Sequence, residues 1–171
     1  MDLRQILLDG GRKSDTEQII SYVGDDPKRF ADLMALMRSK EPRICQRAAW
    51  PLSYIVRANP QLIMDYFPEV IGCLKSPAHN GVTRNMLRLL QFVSIPEEYA
   101  GWIMNHCFAL LARPKEPVAN QAFSMTILAH LAQRYPEIKA ELLLCIEQQW
   151  PQASAGFKSR ARQVQKMLDG L

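Results

Sequence analysis

Apolar residues recur at spacings of three and four along most of the chain, and this pattern itself repeats about every 36 to 39 residues. Alanine or methionine stands at matching places in four similar segments, at Ala48, Met86, Ala122 and Ala161. In the first three segments a second apolar stretch follows, and a proline opens it, at Pro60, Pro96 and Pro136. Self-similarity with such a period is typical of stacked helices. The pattern therefore predicts an all-α repeat built from helix pairs.

Proline and glycine residues mark the boundaries of the repeats. We expect one domain over residues 1–171, with repeats over about 14–41, 42–77, 79–115 and 117–151, and a capping helix over 156–170. Ahead of the first repeat, the stretch from Asp2 to Asp9 predicts a brief helix that ends at Gly10 and Gly11. The first repeat is thus shorter than the others.

Three helix starts carry capping signals. Ser14 with Glu17, and Ser94 with Glu97, have the spacing of a capping box, in which a serine and a glutamate each accept a backbone N–H of the first turn. Asp26 is the predicted cap of the next helix, with Pro27 at its first position.

Two prolines fall inside apolar patterns that otherwise predict helices. Pro51 lies within the first helix of the second repeat, where it predicts a kink or a break near Trp50. Pro68 lies within the second helix of the same repeat, which we expect to bend or split.

Composition supports a packed helical protein. The chain is 48% hydrophobic and poor in valine and threonine, which lose rotamer freedom in a helix. Its formal net charge of +4 is spread along the sequence, as on an ordinary solvated surface, with an anionic partner as the alternative.

The cysteines and the apolar runs favour a cytoplasmic location. Four cysteines, Cys45, Cys73, Cys107 and Cys145, lie in apolar helical stretches without a C-x-x-C pair, so we expect reduced, buried thiols. The N-terminal sequence lacks the apolar core of a signal peptide, and no apolar run approaches the length of a membrane span.

The period, the prolines before the second helices and the apolar spacing in both helices resemble the HEAT and armadillo class of paired-helix repeats, from about Ser14 to Leu171. This resemblance implies a right-handed α–α superhelix, a HEAT-like solenoid of about three to four helix pairs with a C-terminal capping helix. It also implies that the second helices line a concave face. HEAT repeats typically carry an aspartate and a downstream basic residue that link neighbours, but only Asp65 takes that place, with Asn105 and Leu143 in the comparable regions.

The sequence carries no motif for catalysis. It lacks H-E-x-x-H, G-x-S-x-G and a glycine-rich phosphate loop, and its histidines, His79, His106 and His130, are predicted to lie apart. The acidic pairs at 25–26 and 97–98 fall at helix starts, where negative charge complements the helix dipole. We therefore predict no catalytic residue, no cofactor and no metal site.

The first functional hypothesis is a non-catalytic protein-interaction module. Its second helices would bind a peptide or a domain edge through the positions expected to be most exposed, which are Met64, Asp65, Glu98, Asn105, Lys139 and Glu141. A further hypothesis is self-association through the methionine-rich helix over 30–37, and no membrane partner is expected.

The alternative is a nucleic-acid-binding module. Some helical-repeat DNA glycosylases for alkylated bases resemble this architecture and grip the DNA backbone with basic residues on the concave surface. The candidate phosphate-binding residues form two helical pairs and one C-terminal cluster: Arg43 with Arg47, Arg84 with Arg88, and Lys158, Arg160 and Arg162. Stacked repeats would bring the two pairs together, because Arg47 and Arg84 begin comparable turns. Against this hypothesis, Asn120 and Gln121 stand where the fourth repeat should continue the row.

Overall fold

The computed structural model describes residues 1–170, so Leu171, at the end of the expected domain, lies outside the described part. The described residues are helical throughout, without a β-strand. The α-helices are α1 (Leu3–Asp9), α2 (Lys13–Val23), α3 (Pro27–Met37), α4 (Pro42–Ala58), α5 (Phe67–Lys75), α6 (Asn80–Leu90), α7 (Glu97–Ala112), α8 (Val118–Ala132), α9 (Ile138–Gln149) and α10 (Ala155–Asp169). Two 3-10 helices, Pro60–Tyr66 and Trp150–Gln152, precede α5 and follow α9. The predicted all-α repeat is confirmed.

The helices form two compact units, Met1–Val93 and Ser94–Leu171, here called unit 1 and unit 2. Within residues 1–170, no helix is both long enough and apolar enough to cross a membrane.

Helix α4 is the centre of unit 1. It packs against α1, α2, α3 and α6, and its inward positions, including Ile44, Ala48 and Leu52, are fully buried. Ala48 has no side chain beyond Cβ, which lets neighbouring helices approach closely. Met86 holds the matching position on α6 and is also fully buried.

Helix α8 is the centre of unit 2, where it packs against α7, α9 and α10. Neighbours cover it on several sides, which explains why buried residues follow one another from Met125 to Ala129. Ala161 on α10 is fully buried and Ala122 on α8 nearly so, as their matching places in the repeat predict.

The predicted helix starts are partly right. Asp26 caps α3 by accepting the N–H groups of Lys28 and Arg29, at 2.9 and 3.1 Å. The capping box of Ser14 and Glu17 is wrong, because the capping residue of α2 is Arg12, two residues earlier, and the Asp15 carboxylate accepts the backbone N–H groups of Gly11 and Arg12 instead. Ser94 does not cap α7 either, since Pro96 is the capping residue and makes no side-chain bond.

The two interior prolines behave differently. Pro51 is buried inside α4, which runs without a break from Pro42 to Ala58, so the break considered near Trp50 does not form. The segment around Pro68 does split, into the 3-10 helix Pro60–Tyr66 and α5. Pro68 thereby falls in the first turn of α5, where its missing N–H has no intrahelical partner to lose.

The methionine-rich helix is not an exposed face. Phe30, Leu33, Met34 and Met37 of α3 are all at most 1% exposed, and they pack into unit 1 toward α4. The proposed self-association surface is therefore wrong, because the core already covers these side chains.

Candidate functional site

A pocket of about 540 Å³ lies between α4 and α6 in unit 1. One face of α4 supplies five of its lining residues at spacings of three and four: Arg43, Gln46, Arg47, Trp50 and Tyr54. One face of α6 supplies four more in the same way: Gly81, Arg84, Asn85 and Arg88. Gly11, between α1 and α2, completes the wall. The two arginine pairs identified in the sequence thus line one pocket.

Arg47 is fixed at the inner wall by the end of α1. Its Nη1 donates hydrogen bonds to the carbonyl oxygens of Leu7 and Leu8, at 2.7 and 2.8 Å. These carbonyls lie in the last turn of α1, where a cation is favoured by the helix dipole. Gly11 has a φ of +136°, and a Cβ there would lie 2.9 Å from Nη2 of Arg47. A glycine at this position therefore leaves room for the Arg47 guanidinium group.

Aromatic side chains form part of the wall beside Arg88. Its guanidinium lies over the Tyr54 ring, 5.0 Å from the ring centroid. A hydrogen bond from Trp50 lowers the pKa of the Tyr54 hydroxyl, and the positive charges of Arg88 and Lys13 lower it further. The lowered pKa of Tyr54 thus reflects the Trp50 hydrogen bond first and the neighbouring positive charges second.

A buried polar contact joins the two helices at the side of the pocket. The Ser53 hydroxyl donates to the Trp50 carbonyl at 2.8 Å and lies 3.4 Å from Oδ1 of Asn85. Nδ2 of Asn85 donates to the Gly81 carbonyl at 2.9 Å. Both side chains are buried, so these bonds fix how the lining faces of α4 and α6 meet.

Arg43 and Arg84 are the exposed arginines of the pocket. Within residues 1–170, neither side chain takes part in a salt bridge or a side-chain hydrogen bond. None of the lining residues is acidic. The pocket therefore combines four positive charges with no compensating carboxylate in its wall, an arrangement that attracts anions.

The C-terminal basic residues have a different environment, in unit 2. Lys158 and Arg162 on α10 lie over the ring of Trp150, at 5.6 and 5.7 Å from its centroid. Arg160 donates to the hydroxyl of Thr126 at 2.7 Å. These three cations interact with side chains of their own unit, so they are not part of the pocket.

The six positions predicted for partner binding are divided between the two units. Met64 and Asp65 lie on the 3-10 helix of unit 1, Glu98 and Asn105 on α7, and Lys139 and Glu141 on α9 of unit 2. Five of them are exposed. Lys139 is half-buried, and its Nζ donates to the Leu168 carbonyl at 2.6 Å.

The described residues contain no cluster suited to a metal ion, since no group of three histidine, cysteine, aspartate or glutamate side chains converges between residues 1 and 170. All four cysteines are free, but burial raises the pKa of Cys73 to about 11 and that of Cys107 to about 12. These thiols stay protonated near neutral pH and are poor nucleophiles. Desolvation lowers the pKa of His106, which stacks on Trp102 at 4.8 Å.

Sequence reasoning found the four arginines and missed the aromatic, amide and glycine residues beside them. Trp50 and Tyr54 follow Arg43 by seven and eleven residues, a spacing that places all three on one face of a continuous helix. The kink or break expected near Trp50 hid this register.

Comparison with known proteins supports the architecture. A model of the HEAT repeat domain matches residues 3–168, nearly the whole chain. No curated protein and no solved structure matches it. On the strength of the family match, the chain belongs to the HEAT repeat domain family.

Proposed function

We propose that this protein is a non-catalytic interaction module that binds an acidic segment of a protein partner in the pocket between α4 and α6. HEAT repeat domains generally act as non-catalytic scaffolds for protein interactions, which supports this class of function. The proposal places the protein in the cytoplasm, in line with its four free cysteines.

The observation that carries the proposal is the convergence of four arginines on one pocket without an acidic lining residue. Guanidinium groups bind carboxylates through paired N–H donors, and they are less strongly hydrated than lysine ammonium groups. Arg43 and Arg84 are exposed and have no partner among residues 1–170, so both are available to a ligand.

Trp50 and Tyr54 add contact area to the charged groups. Large aromatic side chains beside arginine are enriched among the residues that dominate binding energies at interfaces. Tyr54 is 37% exposed at this site, although it lies in the middle of α4. An acidic segment with an apolar neighbour would therefore bind both parts of the wall.

Photo-crosslinking from within the pocket tests the proposal. A p-benzoylphenylalanine in place of Gln46, which lines the pocket without being an arginine, should cross-link a partner in the native host, at a segment of net negative charge. The double variant Arg43→Glu with Arg84→Glu should lose the product. The matched control, Lys115→Glu with Lys166→Glu, changes the same net charge at exposed positions of unit 2 and should keep it. A product that survives the pocket variant, or one at a basic segment, would contradict the proposal.

The exposed residues of the second helices remain a secondary part of this proposal. Met64, Asp65, Glu98, Asn105 and Glu141 are accessible for further contacts with the same partner. Lys139 is the weakest of the six candidates, because binding through its ammonium would break the bond to Leu168.

Nucleic acid is the second candidate ligand, favoured by the same four arginines, since guanidinium groups bind backbone phosphates equally well. The fourth repeat argues against an extended row of phosphate contacts. Asn120 is buried and bonded to Glu116, and Gln121 is buried and bonded to the carbonyls of Leu111 and Arg113. A titration with duplex DNA at low ionic strength tests this second candidate, because phosphate contacts are strongest under that condition. If no binding is measured there, nucleic-acid binding is excluded.

A further inference from the structure

We propose that the pocket recognises a phosphorylated side chain on the protein partner, with the phosphate held between Arg43 and Arg84 of the rim and the adjoining atoms against Trp50 and Tyr54. This inference rests on the proposed function and specifies the anionic group that the pocket binds.

Charge balance favours a phosphate over a carboxylate. Four guanidinium groups line the pocket and no acidic residue does, so the unliganded wall carries like charges at close quarters. A phosphorylated side chain brings a charge of about −1.5 to −2 and three acceptor oxygens, against −1 and two oxygens for a carboxylate. The dianion therefore neutralises more of the repulsion and accepts from more of the N–H donors.

The four arginines divide into two positioned groups and two available ones. Arg47 is held by two carbonyl oxygens, and Arg88 lies over Tyr54, so both guanidinium groups are oriented before a ligand arrives. Arg43 and Arg84 are exposed and make no other polar contact within residues 1–170. An arrangement with two positioned guanidinium groups and two exposed ones lowers the ordering cost of binding, because only the exposed side chains must be ordered by the ligand.

Shape favours a side chain over an isolated ion. The pocket has about 540 Å³, far more than a phosphate ion fills and within the range of pockets that bind small organic groups. At Gly81 a Cβ would lie 3.1 Å from Cγ of Gln46, so a glycine there lets α6 lie close to α4 without displacing the Gln46 side chain that lines the pocket. The extra volume lies beside aromatic rings, where the carbon atoms next to a phosphate would pack.

A peptide titration followed by NMR tests the inference. Acetylated, amidated peptides of one neutral sequence would carry phosphotyrosine, phosphoserine, glutamate or tyrosine at the centre, and a single-stranded oligonucleotide would serve as the nucleic-acid probe. We expect at least one phosphopeptide to bind about tenfold more tightly than the glutamate peptide. The Trp50 indole and arginine Nε–H signals of the pocket should report the binding.

Variants separate the pocket from general electrostatics. Arg43→Glu with Arg84→Glu should abolish phosphopeptide binding, whereas Lys115→Glu with Lys166→Glu should leave it within about twofold of wild type, since neither lysine lines the pocket. Thermal unfolding by circular dichroism should show that both double variants are folded. If the pocket variant is unfolded, Arg43→Gln with Arg84→Gln replaces it and should weaken binding at least tenfold.

Three results would overturn the inference. If the glutamate peptide binds as tightly as the phosphopeptides, phosphate recognition fails while the proposed function stands. Tighter binding of the oligonucleotide than of every phosphopeptide would assign the site to nucleic acid. No binding by any phosphopeptide at millimolar concentration would also refute phosphate recognition, and the cross-linking result would then decide the proposed function separately.

Discussion

The chain has two regions where arginine or lysine meets tryptophan, and they use the same residue types differently. In unit 2, Lys158 and Arg162 lie over the face of Trp150, and Arg160 is bonded to Thr126. In unit 1, Arg43 and Arg84 line a pocket beside Trp50 and make no cation–π contact or side-chain hydrogen bond within residues 1–170. The comparison shows that a basic cluster in the sequence is a candidate binding site only where its charged groups do not already have intramolecular partners.

The origin of the difference is the placement of the charges on helices. The unit 2 cluster comes from one helix, α10, and lies against the short 3-10 helix that carries Trp150. The unit 1 cluster comes from two adjacent helices, each of which presents arginines one turn apart. The two facing rows of arginines on α4 and α6 enclose a pocket, whereas the single row of basic residues on α10 packs over the Trp150 ring.

The largest expected effect concerns binding of an acidic ligand. Arg43→Glu with Arg84→Glu should weaken it by about 100-fold or more, because hydrogen bonds to charged groups contribute about 1.5 to 3 kcal/mol each. The matching unit 2 variant, Lys158→Glu with Arg162→Glu, should change affinity less than about threefold, since neither residue lines the pocket and both interact with Trp150. Isothermal titration calorimetry measures the affinity of both variants for the ligand. Equal losses of affinity would contradict the difference between the two regions.

A second effect separates positioned from available arginines within the pocket. Arg47→Ala should lower the free energy of unfolding by about 2 kcal/mol, since it leaves the carbonyls of Leu7 and Leu8 without their charged donor. Arg43→Ala should change it by less than about 0.5 kcal/mol, as expected for an exposed side chain that makes no polar contact within residues 1–170. Urea unfolding gives both values, and similar losses in the two variants would contradict the assignment.

The tryptophan and tyrosine rings should contribute to stability in proportion to the cations they support. Trp150→Ala should destabilise the protein by about 1 to 2 kcal/mol, because two cation–π contacts of about 0.5 to 1 kcal/mol are lost. Tyr54→Ala should lower the free energy of unfolding by about half as much as Trp150→Ala, because one cation–π contact is lost instead of two. Unlike Trp150→Ala, it should also weaken ligand binding. Thermal melts and a binding titration on both variants check this, and a reversed order would show that the Trp150 contacts are incidental.

The smallest effect is a pH dependence in unit 2. Desolvation holds the pKa of His106 below its ordinary value of 6.5, so the unfolded chain takes up a proton more readily than the folded one. The free energy of unfolding should therefore fall as the pH is lowered through 6.5 toward the folded-state pKa, and its full value should return above 6.5. The groups facing His106 are Trp102, Arg113 and Glu116. His106→Gln should reduce this slope in urea unfolding at pH 5 to 7, and an unchanged slope would assign it to other groups.

The repeat architecture was readable from the sequence because burial in stacked helices imposes a period on apolar residues. Ala48, Met86, Ala122 and Ala161 lie at buried positions of the alternate helices α4, α6, α8 and α10 for this reason. The capping box at Ser14 was not readable in the same way, since Asp15 accepts the N–H groups of Gly11 and Arg12 and α2 begins at Lys13, ahead of the predicted cap.

The site was readable only in part. Helical spacing and the repeat offset brought Arg47 and Arg84 together, but spacing does not show which cations have intramolecular partners. The partner of Arg47 is a pair of backbone carbonyls about 40 residues earlier, and backbone atoms leave no signature in side-chain patterns. The role of Gly11 was hidden for the same reason.

The indole N–H signals of Trp50 and Trp150 allow the most direct test, because one spectrum reports both regions in the same sample. A glutamate-rich peptide titrated into labelled protein should shift the Trp50 signal in proportion to occupancy and leave the Trp150 signal in place. Added salt should reverse the shift, since the attraction is electrostatic. If the Trp150 signal moves instead, or if neither signal moves at saturating peptide, the pocket between α4 and α6 is not the anion-binding site of this protein.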